Sequence, residues 1–238
     1  MNNENRQTGR VLSRREVLAW LGASGVAVLA GFPPRRSAAA APTCIVTPAQ
    51  TEGPFFVDTQ LNRSDIRSDP SDGSLREGLP FTLDLAVWSV GTGGCAPIAG
   101  AMVDIWHCDA LGVYSGTSDA GAAGKKFLRG YQASDANGRV AFTTIYPGGY
   151  EGRAVHIHFK VRAKDRSGRG YEFTSQFYFD DATTDRVHAR RPYAARGKRA
   201  LRNDRDFAYR NGGNRLLLAL AEGRGGYTAS YDIGLRAP

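Results

Sequence analysis

The chain of 238 residues is 42% hydrophobic and 23% charged, a globular composition that excludes a disordered polymer. Its 29 Gly and 11 Pro favour many turns and a β-rich fold. The formal charge of +8 divides evenly: residues 1–41 hold six Arg against two Glu, and the remainder holds 25 basic against 21 acidic residues. No nucleic-acid motif accompanies this excess, so a solvated basic surface, richest from Arg186 to Arg205, is expected rather than a polyanion site.

Ser13 to Leu18 reads SRREVL, two adjacent arginines ahead of a 16-residue apolar run from Val17 to Phe32. That run is short for a bilayer span of about 20 residues. Pro33, Pro34 and the small-residue stretch SAAAAP follow, as at a signal-peptidase site. The segment resembles a twin-arginine export signal. The resemblance implies a leader over 1–41, a mature domain over 42–238, no membrane anchor after cleavage, and a periplasmic or extracellular destination. Proteins exported this way commonly cross already folded around a cofactor.

Cys44, Cys95 and Cys108 follow the leader. An oxidising destination favours one disulfide and one free thiol. Cys95 and Cys108 bracket an expected strand that holds them roughly 25 Å or more apart at about 3.3 Å per residue. Cys44 is therefore one partner; Cys44–Cys108 is the expected pair, with Cys95 the other candidate.

TPAQTEGPFFV (Thr47–Val57) reads as an extended, turn-containing segment, and RSDIRSDPSDGSLREG as a polar loop. PFTLDLAVWSV alternates Phe81, Leu83, Leu85 and Val87 against its other neighbours, a strand pattern. GTGGCAP turns into a second strand, Ala101–Cys108. A Gly-rich loop precedes a short strand around Phe127–Gln132, and DANGR (Asp135–Arg139) predicts a hairpin-type turn into VAFTTIYPGGY. YEFTSQFYF and YTASYDIGL alternate as strands. Helix is expected only within Val187–Asn211 and over NRLLLALAE (Asn214–Glu222). Many short strands with little helix indicate an all-β fold, an antiparallel β-sandwich with short helices and long loops. Trp88 and Trp106 are expected in the core and His188 on the surface.

IYPGGYEGRAVHIHFKV (Ile145–Val161) carries the chemistry. Val155, Ile157, Phe159 and Val161 fall on one parity, and His156, His158, Lys160 and Arg162 on the other. This is the period of a half-buried strand. The two imidazoles share a face with Cα atoms about 6.7 Å apart, close enough to converge on one ion; the alternative is a polar face that meets water. No carboxylate stands beside them to complete a two-His-one-carboxylate set. The nearby oxygen donors are phenols, Tyr150 six residues before His156 and Tyr114 at the end of DIWHCDALGVY. A phenol with a pKa near 10 becomes an anionic ligand only beside a highly charged cation, which ferric iron is and Zn²⁺ is much less.

IWHCDALGVYSG, FLRGYQASDANGRVAFTTIYPGGYEGRAVHIHFKV and TSQFYF together resemble the intradiol ring-cleavage dioxygenases, from about Thr47 to the C-terminus. The resemblance implies a transthyretin-like β-sandwich holding non-haem Fe(III) through two Tyr and two His, which fall on Tyr114, Tyr150, His156 and His158. It implies that Arg153 and Gln176 border the substrate and that TEGPF lines its pocket. The substrate is a catechol-type aromatic bound as a dianion. It displaces the second tyrosinate, here Tyr150, O₂ attacks the ring, Arg153 stabilises the negative charge that develops, and a muconate-type diacid results. Gly149 replaces a bulkier residue of the family, the Tyr150–His156 spacing is compact, and no helical N-terminal domain is expected. These features point to the secreted branch. A different class of reading is a transthyretin-like sandwich that binds a ligand or carbohydrate without turnover. A third is a zinc hydrolase that recruits Asp104 or Glu151. His107 is expected to pack structurally, with a place behind the metal ligands as the alternative.

Overall fold

The computed structural model describes residue 42 and residues 44–119, 121–164, 168–197, 201–223 and 225–236. The expected leader, 1–41, lies outside the described residues. Among the described residues, nine strands form two sheets. The first contains β1 (Pro80–Gly91), β2 (Gly94–Pro97), β5 (Arg139–Ile145), β8 (Leu220–Gly223) and β9 (Gly226–Arg236). The second has the order β4-β3-β6-β7, from β4 (Arg129–Ala133), β3 (Met102–Trp106), β6 (His156–Lys164) and β7 (Gly170–Tyr178). One helix, α1 (Asp181–His188), and three short 3₁₀ turns complete the described elements. The protein is all-β, as its alternating segments predict.

Alternation decides which faces meet. Phe81, Leu83, Leu85 and Val87 of β1 are buried, as are Val103 and Ile105 of β3 and Ile157, Phe159 and Val161 of β6. All belong to one apolar cluster between the sheets. Each such side chain contributes about 1.5–3 kcal/mol on leaving water.

Several expectations give way to longer-range pairing. β1 and β9 run parallel, Phe81 opposite Tyr227 through Val90 opposite Arg236. A parallel pair needs a long crossover, and here the whole second sheet lies between the two strands in the chain. DANGR is a corner rather than a hairpin. Gly138 closes the turn onto Asp135 O at 2.9 Å, but β4 pairs with β3 and β5 with β1, in different sheets. The helix expected over Asn214–Glu222 is reduced to a 3₁₀ turn, Gly213–Leu216, and gives way to strand β8 from Leu220. Leu216 and Leu218 are buried and Leu217 exposed, a two-residue alternation, and Leu218 N–H donates to Tyr178 O at 2.9 Å. Sheet contacts thus override the helical propensity of the leucines. Within the tract 187–211, the α-helix ends at His188, ahead of Pro192, and short 3₁₀ turns follow at Tyr193–Arg196 and Asn203–Arg205.

The disulfide joins Cys44 to Cys95, not to Cys108. Cys95 lies on the peripheral strand β2, whereas Cys108 is sealed beneath Trp106 and Tyr114 as a free thiol, its Sγ 3.4 Å from Gly148 O. Trp88 is only half-buried and donates to Asp232 Oδ1 at 3.0 Å. His188 is likewise half-buried, stacked on Tyr193 with its Nε2 donating to Pro147 O at 3.1 Å.

Candidate metal centre

Most of the polar face of β6 is covered: His156, His158 and Lys160 are buried, Arg162 is half-buried, and Lys164 at the strand end is exposed. Residues 48–58 form a strap across this face. Ser175 Oγ donates to Pro48 O, Gln176 Nε2 to Thr51 O (both 2.7 Å), and Lys160 and Arg162 pair with Glu52 and Asp58. Phe56 packs on Trp106 at 4.9 Å. His156 and His158 are consequently buried on the face that alternation alone leaves open. Register then aligns Trp106, His158 and Gln176 across three strands, and sets His156 opposite Tyr178. Directly opposed residues share a face.

Two loops bring the phenols to this row. Tyr114 closes the turn after β3, and Tyr150 follows β5 through Pro147, Gly148 and Gly149. The loops touch because they carry glycine at the contact. A Cβ on Gly148 would stand 2.4 Å from Asp109 O, and one on Gly112 would stand 2.3 Å from Gly149 O. Gly112 also has φ +83°, which L side chains rarely adopt.

The four expected donors converge. Tyr114 Oη lies 3.5 Å, Tyr150 Oη 3.4 Å and His158 Nε2 2.9 Å from His156 Nε2. His156 Nδ1–H donates to Ala154 O at 2.7 Å, which leaves Nε2 as an acceptor with one lone pair. That lone pair cannot serve three donors. A cation shared by the four groups would instead use a lone pair of each. Burial keeps both imidazoles neutral and ready to ligate: it depresses His156 to about 3, with Arg153 adding to the effect, and holds His158 well below its ordinary value. Burial also raises both phenols, Tyr114 the more strongly, while Arg153 opposes the rise. The donor set therefore fits a highly charged cation able to draw out two phenolic protons. Asp104 is committed to Arg162 at 2.9 Å and Glu151 is exposed. Among the described residues no group of three or more His, Cys, Asp or Glu is arranged to hold a metal.

Aromatic neighbours fix the rings. Trp106 stacks on His158, with centroids 4.9 Å apart and planes 3° apart. Phe55 stacks on Tyr114 at 4.3 Å and 19°. Gly53 approaches His158 so closely that a Cβ would lie 3.4 Å from its Cε1. His107 turns away, bonded to Cys108 O and to Thr144 Oγ1 of β5.

Arg153 and Gln176 meet beside this cluster, Nη2 donating to Oε1 at 2.6 Å. Asp206, absent from the residues singled out in the sequence, completes the arrangement. Its Oδ2 accepts Arg153 Nε at 2.8 Å and Ala154 N at 2.7 Å, while Oδ1 accepts Ala208 N and Tyr209 N, both at 2.8 Å. Burial alone would raise this carboxyl; the Arg153 bond and the backbone donors outweigh that and hold it low. No sequence signal marks Asp206, which adjoins a charged tract read as solvated surface. Arg153 also faces Tyr150 and opposes the rise of its phenol, and the exposed Phe207 ring lies 5.1 Å from its Cζ.

Comparison with known proteins agrees with this geometry. Residues 51–215 match the family profile Dioxygenase_C, described as dioxygenase. A chlorocatechol 1,2-dioxygenase of Pseudomonas sp. (strain P51) is 34% identical over 111 residues, 39% of this chain and 41% of that protein. Catechol 1,2-dioxygenase 1 of Acinetobacter lwoffii is 29% identical over 154 residues, 55% of this chain and 45% of that protein. The matches thus span less than half the length of these curated relatives. The solved structure of an intradiol ring-cleavage dioxygenase from Tetranychus urticae superposes with a TM-score of 0.70 at 28% identity, over 82% of this chain and 96% of that one. With a profile match over more than half the chain and a fold shared almost end to end with that structure, the chain belongs to the intradiol ring-cleavage dioxygenase family.

Proposed function

We propose that the protein is a non-haem Fe(III) dioxygenase that cleaves a catechol-type ring between its two hydroxylated carbons with O₂, giving a muconate-type diacid. The observation that carries this reading is the buried convergence of Tyr114, Tyr150 and His158 on one nitrogen of His156. These four residues would hold the metal, and bound ferric iron would supply Lewis acidity and an electron sink.

The chain's own groups supply the rest. Tyr150 is less buried than Tyr114, so it is the donor that, as a phenolate, would swing away, its Oη accepting the proton of a substrate hydroxyl. Arg153, with Nε and Nη2 engaged by Asp206 and Gln176, offers Nη1 to negative charge that develops on the ring. Such a preorganised donor is worth more in a water-poor site than in solvent. Phe55, Trp106 and the strap exclude water from the protein side of the cluster.

Export by the twin-arginine route, with residues 1–41 as leader and 42–238 as the mature catalytic domain, belongs to the same reading. The Cys44–Cys95 disulfide supports an oxidising destination. Fractionation of a tagged chain, with N-terminal sequencing of the product, tests it.

The deciding experiment is a visible spectrum of the iron-loaded protein before and after anaerobic catechol, followed by oxygen uptake. A tyrosinate-to-iron band that shifts with catechol, then O₂ consumption, is expected. A protein that stays colourless with ferric iron would leave a ligand-binding sandwich.

A further inference from the structure

Arg129, the first residue of β4, is buried, yet no carboxylate answers it among the described residues. Its guanidinium donates to three uncharged oxygens: Nε to Ser115 Oγ at 2.8 Å, Nη2 to Ser115 O, and Nη1 to Phe55 O. These acceptors flank one residue. Ser115 follows Tyr114 in the chain, and Phe55 is the ring stacked on Tyr114. The Arg129 Cζ stands 6.0 Å from the centroid of the Tyr114 ring. A single side chain therefore ties together the backbone beside Tyr114 and the ring lying over it.

Burying a guanidinium without a counter-charge is unfavourable, and an apolar or neutral side chain would avoid the cost. Arg153 differs, because Asp206 answers its charge. A fixed fork of five donors reaches both the strap and the turn after Tyr114, which a shorter or single-point donor cannot do.

We infer that Arg129 is a positioning residue for Tyr114: it clamps the phenol between Phe55 and the Ser115 turn and keeps a fixed positive charge beside it. The inference rests on the metal centre proposed above.

A double-mutant cycle tests it without recourse to turnover. Wild type, R129M, Y114F and the double variant are loaded with ferric iron alone. Affinity is read by competition with a chelator, and the tyrosinate-to-iron band by its wavelength. R129M should weaken iron binding about 10–100-fold, the usual range for residues that support a ligand, and should move the band. The double variant should bind no more weakly than Y114F alone, because Arg129 acts through Tyr114. Additive losses, or an R129M protein with unchanged affinity and band, would overturn the role. If R129M does not fold, R129K and F55L replace it. R129K keeps the charge but lacks the fork, and F55L removes the stacked ring; each should move the band, and no movement in either overturns the clamp. A wild type that gains no colour with ferric iron removes the metal centre and this role together. A coloured wild type with unmoved variants removes the role of Arg129 alone.

Discussion

Asp206 holds Arg153 from 53 residues away in the chain, its Oδ2 2.8 Å from Nε. The carboxylate is fully buried and also caps three backbone N–H groups, so it fixes both the guanidinium and the segment that carries it. Breaking a buried pair by removing one partner costs about 3–5 kcal/mol. Asp206→Ala should lower stability to urea by that amount and reduce catechol turnover. A loss under about 1 kcal/mol would mean that the pair does not organise this wall.

The four donors and Arg153 should separate by what they do. His158→Ala should lose ferric iron and its colour, whereas Tyr114→Phe, with three donors left, should bind it measurably but more weakly and with a diminished band. Arg153→Ala should keep the iron and the band while kcat falls roughly 10²–10³-fold, the scale of a lost charge-stabilising donor. Chelator competition and oxygen-electrode rates on the same preparations check this. Full activity in all three variants would refute the assignment.

Stability of the metal-free protein should fall with acid in two windows. His107 and His156 are depressed by burial to about 4 and about 3, and His158 lies well below its ordinary value. Below pH ~6.5 the unfolded chain takes up protons that the folded one refuses, so their stabilisation is full above that value and declines towards the folded pKa. The slope is up to about 1.4 kcal/mol per pH unit for each histidine. Asp206 acts lower, contributing above pH ~3.9 and losing its contribution as pH falls through its depressed folded value. Urea unfolding at pH 7, 6 and 5 tests the first window; a flat profile would contradict the burial of the imidazoles.

The thiols should report the disulfide directly. The native protein should offer no reactive thiol, because Cys108 is sealed and burial, followed by Asp109, pushes it up to about 12. Unfolding without reductant should release one thiol, and unfolding with reductant all three cysteines. The Cys44–Cys95 bridge spans 51 residues, and its reduction should cost about 4 kcal/mol by loop-closure entropy. Two thiols released without reductant from monomeric protein would be incompatible with one intact intrachain bridge.

Alternation over Phe81–Val87 and Val155–Arg162 is enough to predict two strands and their apolar faces, because side-chain direction in a strand is set by neighbouring backbone angles. The same local geometry puts His156 and His158 on one side, and the G-x-Y and P-G-G-Y segments supply phenols within reach. Spacing alone paired only the two histidines; it was the resemblance to the family that singled out Tyr114, 42 residues before His156, and Tyr150 as their companions. What covers that side was not legible. Most of the polar face is covered by a strap from 48–58, whose partners on β6 and β7 lie more than 100 residues further along the chain. Asp206 and Arg129 look like ordinary charges in sequence, since whether a charge meets water or a partner depends on what packs against it. The Cys44–Cys95 pairing, the parallel β1–β9 ladder and the sheet-to-sheet corner at Asp135–Arg139 have the same origin. Local backbone preference carries information over a few residues; the choice among partners at long range is made by which packing buries the most apolar surface while leaving the fewest polar groups unanswered.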